Sequence, residues 1–180
     1  GVSWRNFRFG GFDFNSSNLE YSQGELIRKN YSQHSILLAT FGRESIIRDP
    51  PFLKALVEIL KNNPQCGYLW TGKQQQPDLF IQKYFEDNGV DKHTHYIGWV
   101  NINVYSTVID VFLDPFTFLA GHTLLSSMAC GKASITYQSP SNVNQSISHH
   151  NGIVELSKNK TDPCYKKALK IVNESSMLFI

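Results

Sequence analysis

The chain predicts a doubly wound α/β domain, a parallel sheet with helices on both faces, and two observations carry the prediction. Short continuous apolar runs, as in strands buried on both faces, alternate over residues 35–137 with stretches whose apolar residues recur at helical spacing. Parallel neighbours also require crossover connections, which a helix after each strand supplies. With 180 residues, 41% of them apolar, the chain can bury one proper core and is too short for two such domains.

Residues 1–33 are rich in aromatics, Asn, Ser and Gly (Phe7-Arg8-Phe9-Gly10-Gly11-Phe12) and show no sustained periodicity, so they read as a connecting segment, with the domain proper at 34–180. A first strand over 35–40 runs into Phe41-Gly42-Arg43. Asp49-Pro50-Pro51 then opens a helix in which Phe52, Ala55, Leu56, Ile59 and Leu60 form one apolar stripe. A second strand over 66–71 is followed by a helix over 77–87, with Leu79, Phe80, Tyr84 and Phe85 expected inward and Asn88-Gly89 as its stop. A third strand (95–98), a short helix (104–109) and a fourth strand (111–113) lead to Asp114-Pro115. A helix over 122–129 and a fifth strand over 133–137 complete the sheet. Beyond Pro140 the chain turns polar, then offers an apolar stretch at 152–156 and an amphipathic helix at 162–174 with Tyr165, Ala168, Leu169 and Val172 inward.

Composition removes several function classes. A formal charge of +2, from 17 basic and 15 acidic residues, leaves no surplus for a nucleic-acid groove. Cys66, Cys130 and Cys164 are odd in number and far apart, which suggests neither a disulfide framework nor a zinc knuckle. No signal peptide is evident and no apolar run approaches the roughly 20 residues of a membrane span, so a cytoplasmic place, or a peripheral one at a membrane surface, is expected. The Asn-x-Ser/Thr triplets at Asn15, Asn30, Asn144, Asn159 and Asn173 are then chance occurrences. His149-His150 and the pair His93, His95 lack a carboxylate or cysteine at ligand spacing, and no metal is expected. There is no Gly-x-Ser-x-Gly elbow, Walker loop or Gly-x-Gly-x-x-Gly, so hydrolase, NTPase and dehydrogenase readings lack their residues.

Open parallel sheets bind ligands at the carboxyl ends of their strands, which directs attention to the loops there. Ala120-Gly121-His122-Thr123 opens a helix, setting unpaired backbone amides, a hydroxyl and an imidazole at the positive end of a helix dipole, where a diphosphate is stabilised. Gly121 lets a phosphate approach the amides; Thr123 either donates to it or caps the helix, and an ordinary capped loop is the alternative. In the loop after the first strand, Gly42 permits a sharp turn, and Arg43 or Arg48 can offer a guanidinium fork to phosphate oxygens or remain a solvated surface residue. Trp99 and Val100, after the third strand, could meet a nucleobase edge, although packing is the commoner use of such a tryptophan.

This order of features resembles the C-terminal domain of GT-B-type glycosyltransferases: Phe41-Gly42-Arg43 after strand one, Tyr96-Ile97-Gly98-Trp99-Val100 after strand three, and a small-residue loop before Leu124-Leu125-Ser126-Ser127-Met128-Ala129-Cys130-Gly131-Lys132. The closing Met-Ala-Cys-Gly-Lys is typical of the retaining group-one enzymes. Gly121-His122-Thr123, with Leu113-Asp114 upstream and Arg48-Asp49-Pro50 after strand one, is more similar to the protein O-GlcNAc transferase family.

The resemblance implies a Rossmann-like half of a GT-B fold that binds a nucleotide-sugar donor, with an N-terminal, acceptor-binding domain missing from this chain. It places His122 and Thr123 on the UDP diphosphate, Arg48 where the family has a lysine, and Arg43 on the arginine of group-one enzymes. The ribose-binding carboxylate falls at Ser126 and the first group-one glutamate near Phe118, and neither is acidic here. Glycosyl transfer from a nucleotide-sugar, a UDP-sugar by this resemblance, is therefore expected, without a metal and without turnover in the absence of the N-terminal domain. The alternatives are a non-catalytic nucleotide-sugar-binding or scaffold module, and a sugar-nucleotide epimerase domain whose acid would be Asp114.

Overall fold

A computed structural model describes residues 8–9, 12–13, 16–115 and 121–135 of the chain. The expected apolar stretch at 152–156, the helix at 162–174 and Phe118 lie outside the described residues. A small antiparallel pair, β1 (Arg8–Phe9) and β2 (Phe12–Asp13), precedes the helix α1 (Asn18–Arg28). The main sheet is formed by β3 (Ile36–Thr40), β4 (Cys66–Trp70), β5 (Thr94–Tyr96), β6 (Val111–Leu113) and β7 (Ala133–Ile135). Its order is β5-β4-β3-β6-β7, and all four pairings are parallel. The helices α2 (Glu44–Ile47), α3 (Pro50–Asn62), α4 (Leu79–Asp87), α5 (Ile102–Val108) and α6 (Gly121–Ala129) fill the connections. This is the doubly wound α/β sheet that the alternation of apolar runs predicts.

Strand alternation divides the core in two. Leu38, Cys66, Tyr68, Trp70 and Val111 pack on one face against Leu53 and Leu56 of α3 and Ile81 and Phe85 of α4. Leu37, Ala39, Leu69 and Phe112 pack on the other with Val108 of α5 and Leu124 of α6, flanked by Ile27 of α1. Neighbouring residues of one strand thus serve opposite layers, which is why these strands are apolar throughout rather than alternating. Asp110, just before β6, stitches the second layer to the sheet: its carboxylate accepts the Leu37 amide at 2.8 Å and pairs with Arg28 at 3.2 Å.

Two expectations are corrected. Residues 18–28, read as part of a connector, form the 11-residue helix α1. Ser17 caps it in a reciprocal box, its hydroxyl accepting the Glu20 amide at 3.3 Å while Glu20 accepts the Ser17 amide at 2.7 Å. α1 lies against α5 through Gly24, where an added Cβ would collide with Thr107 and crowd the Val104 carbonyl. Its leucines face outward, Leu19 being 67% and Leu26 63% exposed, so the helix shows no inward apolar stripe. In α4 the buried side chains are Ile81 and Phe85, while Leu79 is 80% exposed and Phe80 is also exposed. Asp78, not Pro77, sets the phase of that helix, because its carboxylate accepts the Phe80 and Ile81 amides and fixes the helix start.

Candidate functional site

The chain winds outward from β3 to β4 and β5, then returns to place β6 and β7 on the other side of β3. The switch point therefore lies between β3 and β6, where their connections leave in opposite directions and open a crevice at the carboxyl ends. The Thr40 hydroxyl donates to the Leu113 carbonyl at 2.8 Å and closes the floor of this junction. The turn after β3 and the amino end of α6, which carry the sequence candidates Gly42, Arg43, Gly121, His122 and Thr123, flank it.

α6 begins at Gly121, so its first amides have no intrahelical acceptor and form the positive end of the helix. Thr123 stands third in the helix and does not cap it. Its hydroxyl donates to the Phe41 carbonyl at 3.2 Å, joining the first turn of α6 to the end of β3. His122 is exposed at the same end. Ser126, one turn further, is 6% exposed, so the position of the expected ribose carboxylate is neutral and turned into the protein. Asp114 is 1% exposed and lines a small pocket with Phe52, Leu56, Leu113 and Ile135. The acid that an epimerase would need from this residue is buried beneath α3.

The turn after β3 is held from the side by Thr71, whose hydroxyl accepts the Gly42 amide at 2.7 Å and donates to the Gly42 carbonyl at 2.9 Å. A Cβ at Gly42 would run into the end of the Ile46 side chain, which would have to shift to admit it. Arg43 occupies the extended N-cap position of α2 and is exposed. Arg48 ends the same helix, but its guanidinium is 3.6 Å from the Asp78 carboxylate and 4.9 Å above the Phe80 ring. Of the two candidate cations, Arg48 is drawn to the start of α4, and Arg43 stands at the switch point.

The loops after β4 and β5 form one unit. The Ile97 amide donates to the Trp70 carbonyl at 3.0 Å, and the Gly72 amide to the Gly98 carbonyl at 3.4 Å. Gly98 has a φ of 66°, a left-handed conformation that a side chain resists, and the chain leaving it presents Trp99 at 79% exposure. Trp99 is thus not a packing residue among the described residues, and Val100 beside it is half-buried. Glu44 was not among the sequence candidates. Its carboxylate accepts the Gln74 amide at 3.2 Å and lies where a Cβ of Gly72 would project. Partial burial pushes this carboxyl up, but the amides of Glu44 itself, Lys73 and Gln74, with the Lys73 charge, outweigh it and hold the group below the ordinary carboxylate range. Nothing local in the sequence marks Glu44 or Thr71, because their partners lie about 30 positions away. Asp78 has a local signal, an aspartate of the type preferred at a helix N-cap, which the expected start at Pro77 passes over.

Among the described residues no group of three or more His, Cys, Asp or Glu could hold a metal ion, and no helix is long and apolar enough to cross a membrane.

No protein-family model and no curated protein matches the sequence. Solved structures do match the fold. A Thermobaculum terrenum O-GlcNAc transferase mutant superposes with a TM-score of 0.59 at 19% identity, over 79% of this chain and 29% of that one. The C-terminal domain of a group-one glycosyl transferase family protein from Francisella tularensis gives 0.56 at 15% identity, over 99% of this chain and 100% of that domain. An Anabaena protein solved in complex with UDP and glucose gives 0.52 at 14% identity, over 90% of this chain and 53% of that one. The chain thus spans under a third of the Thermobaculum enzyme and corresponds in extent to the isolated Francisella domain. It has the Rossmann-like α/β fold of the C-terminal half of GT-B glycosyltransferases, the fold that Gly121-His122-Thr123 and its companion motifs resemble.

Proposed function

We propose that this chain is the donor-binding half of a glycosyltransferase and that the crevice between β3 and β6 receives a nucleotide-sugar, a UDP-sugar by the resemblance. The observation that carries the reading is the convergence of the amino end of α6 and the Arg43 turn on one switch point, joined there by the Thr123–Phe41 hydrogen bond. Departure of a nucleoside diphosphate develops negative charge on its phosphate oxygens. Helix amides at Gly121 and His122, with a guanidinium from Arg43, stabilise that charge without a metal. Trp99, presented by Gly98 on the rim, offers a face to the base, and Val100 an edge.

The acceptor belongs, in this reading, to an N-terminal domain of the longer protein, and turnover requires both halves. The reading involves no cofactor, no nucleic acid, and a cytoplasmic place or a peripheral one at a membrane. Calorimetric titration with UDP, GDP and a UDP-sugar tests it: binding of the uridine nucleotides in the micromolar to millimolar range is expected, and no heat from any of the three at millimolar concentration sinks donor recognition.

A second reading is favoured by Ser126. A buried, neutral residue at the ribose position supplies no charge-assisted bond, which suits a nucleotide-binding module that does not turn over. UDP binding together with no release of UDP from UDP-sugars, measured on the longer protein with its N-terminal half, would select this module.

A further inference from the structure

Glu44 joins the turn after β3 to the loop after β4, and that second loop is bonded in turn to β5 and the loop after it. Glu44, the first residue of α2, reaches across to the β4–α4 loop, where its carboxylate accepts the Gln74 amide at 3.2 Å. Gly72 is the close-approach residue, since any Cβ there would occupy the carboxylate's place. The Tyr96 hydroxyl of β5 donates to the Gln74 carbonyl, so the loop that Glu44 holds is also the loop that β5 holds. The same loop passes the Gly72 amide to the Gly98 carbonyl, behind Trp99. Arg43 precedes Glu44 directly, so fixing the Glu44 backbone fixes where the Arg43 side chain starts.

We propose that Glu44 is the positioning residue of this crevice, a carboxylate that ties the β3–α2 turn to the β4–α4 loop and so holds Arg43 and the Gly98–Trp99 rim in place for a nucleoside diphosphate. This rests on the donor-binding reading for its purpose, but the clamp itself can be measured separately. A carboxylate accepting a backbone amide is more directional than a surface ion pair, and glutamine keeps the shape while losing the charge assistance. Aspartate, one methylene shorter, keeps the charge and loses the reach.

The experiment compares Glu44→Gln, Glu44→Asp and Gly72→Ala with the unsubstituted chain, reading amide hydrogen exchange by NMR, UDP affinity by calorimetry, and thermal melting. Expected are exchange at Gln74 faster by about tenfold in all three variants, UDP affinity weaker by about tenfold, and a melting temperature nearly unchanged. Unchanged exchange at Gln74 overturns the clamp. Faster exchange with undiminished UDP affinity overturns the positioning role. Faster exchange in a chain whose unsubstituted form does not bind UDP overturns the donor reading, and with it the purpose assigned to Glu44, while the clamp stands.

Discussion

The Thr123 hydroxyl donates to the carbonyl of Phe41 at 3.2 Å, joining the first turn of α6 to the last residue before the Gly42 turn. The side chain expected to touch phosphate or cap its helix thus also ties α6 to the end of β3. Thr123→Val should cost about 1 kcal/mol of stability through the lost bond, and Thr123→Ser should recover most of it. Urea unfolding of the three proteins measures this. UDP affinity that is unchanged in the valine variant would show that the hydroxyl serves the fold alone.

The two arginines should separate. Arg43→Ala is expected to weaken UDP binding by about tenfold with no loss of stability, because its side chain is exposed at the switch point. Arg48→Ala should have the smaller effect on binding. Its ion pair with Asp78 is half exposed, and with the Phe80 contact it contributes no more than about 1 kcal/mol. Equal losses of affinity in the two variants, measured by calorimetry, would contradict this division.

At the opposite, amino end of the sheet, His34 and His95 face each other with Nε2 atoms 2.9 Å apart, beside His93, Tyr31, Arg28 and the Arg28 partner Asp110. His34 Nδ1 is buried with no hydrogen-bond partner among the described residues. The less costly tautomer leaves that nitrogen bare, so His34 donates through Nε2 and His95 accepts. Burial first, then the charges of His95, His93 and Arg28, lower the His34 pKa; burial, then His93, lowers that of His95. Folded-state values below the unfolded one mean that the unfolded chain binds more protons. Stability is therefore full above about pH 6.5 and falls as pH drops through the lowered values. Urea midpoints at pH 7 and pH 5 should show the decline, and His95→Gln, which keeps an acceptor without the second charge, should lessen it.

Gly24 is where α1 meets α5, with Thr107 in the space of its missing Cβ. Gly24→Leu should destabilise the domain by about 1–3 kcal/mol through overpacking, despite leucine's better helix propensity. A thermal melt that is unchanged or raised would mean that α1 is not held against the sheet layer as described.

Much of this was readable in advance, and the exceptions share a cause. The strands at Ile36–Thr40, Cys66–Trp70 and Val111–Leu113 stand where their apolar runs place them, because a strand buried on both faces has no polar phase to misjudge. α3 follows from its Pro-Pro start and its stripe. α1 was missed because its contact surface is a glycine while its leucines face outward, the inverse of an amphipathic pattern. The phase of α4 does not follow from its apolar residues, because Leu79 and Phe80 at its amino end are exposed while Ile81 and Phe85 are buried. In the candidate site, Gly42, Arg43, Gly121, His122, Thr123 and Trp99 were legible as loop residues at strand ends or at a helix start. Glu44 and Thr71 were not, since each acts on a backbone about 30 residues away.

The sequence by itself determined the class of the fold, the succession of the five main-sheet strands and the longer helices between them, and which loops leave the carboxyl ends, because periodicity and turn chemistry are local properties. Only the tertiary structure decided which of those loops face one another. Placing β6 beside β3 rather than beside β5 makes the turn at Arg43 and the start of α6 two walls of one crevice, while Arg48 pairs with Asp78 and Ser126 lies in the interior. Strand order is set by how the two layers share burial across the whole sheet, and no window of sequence contains that sum.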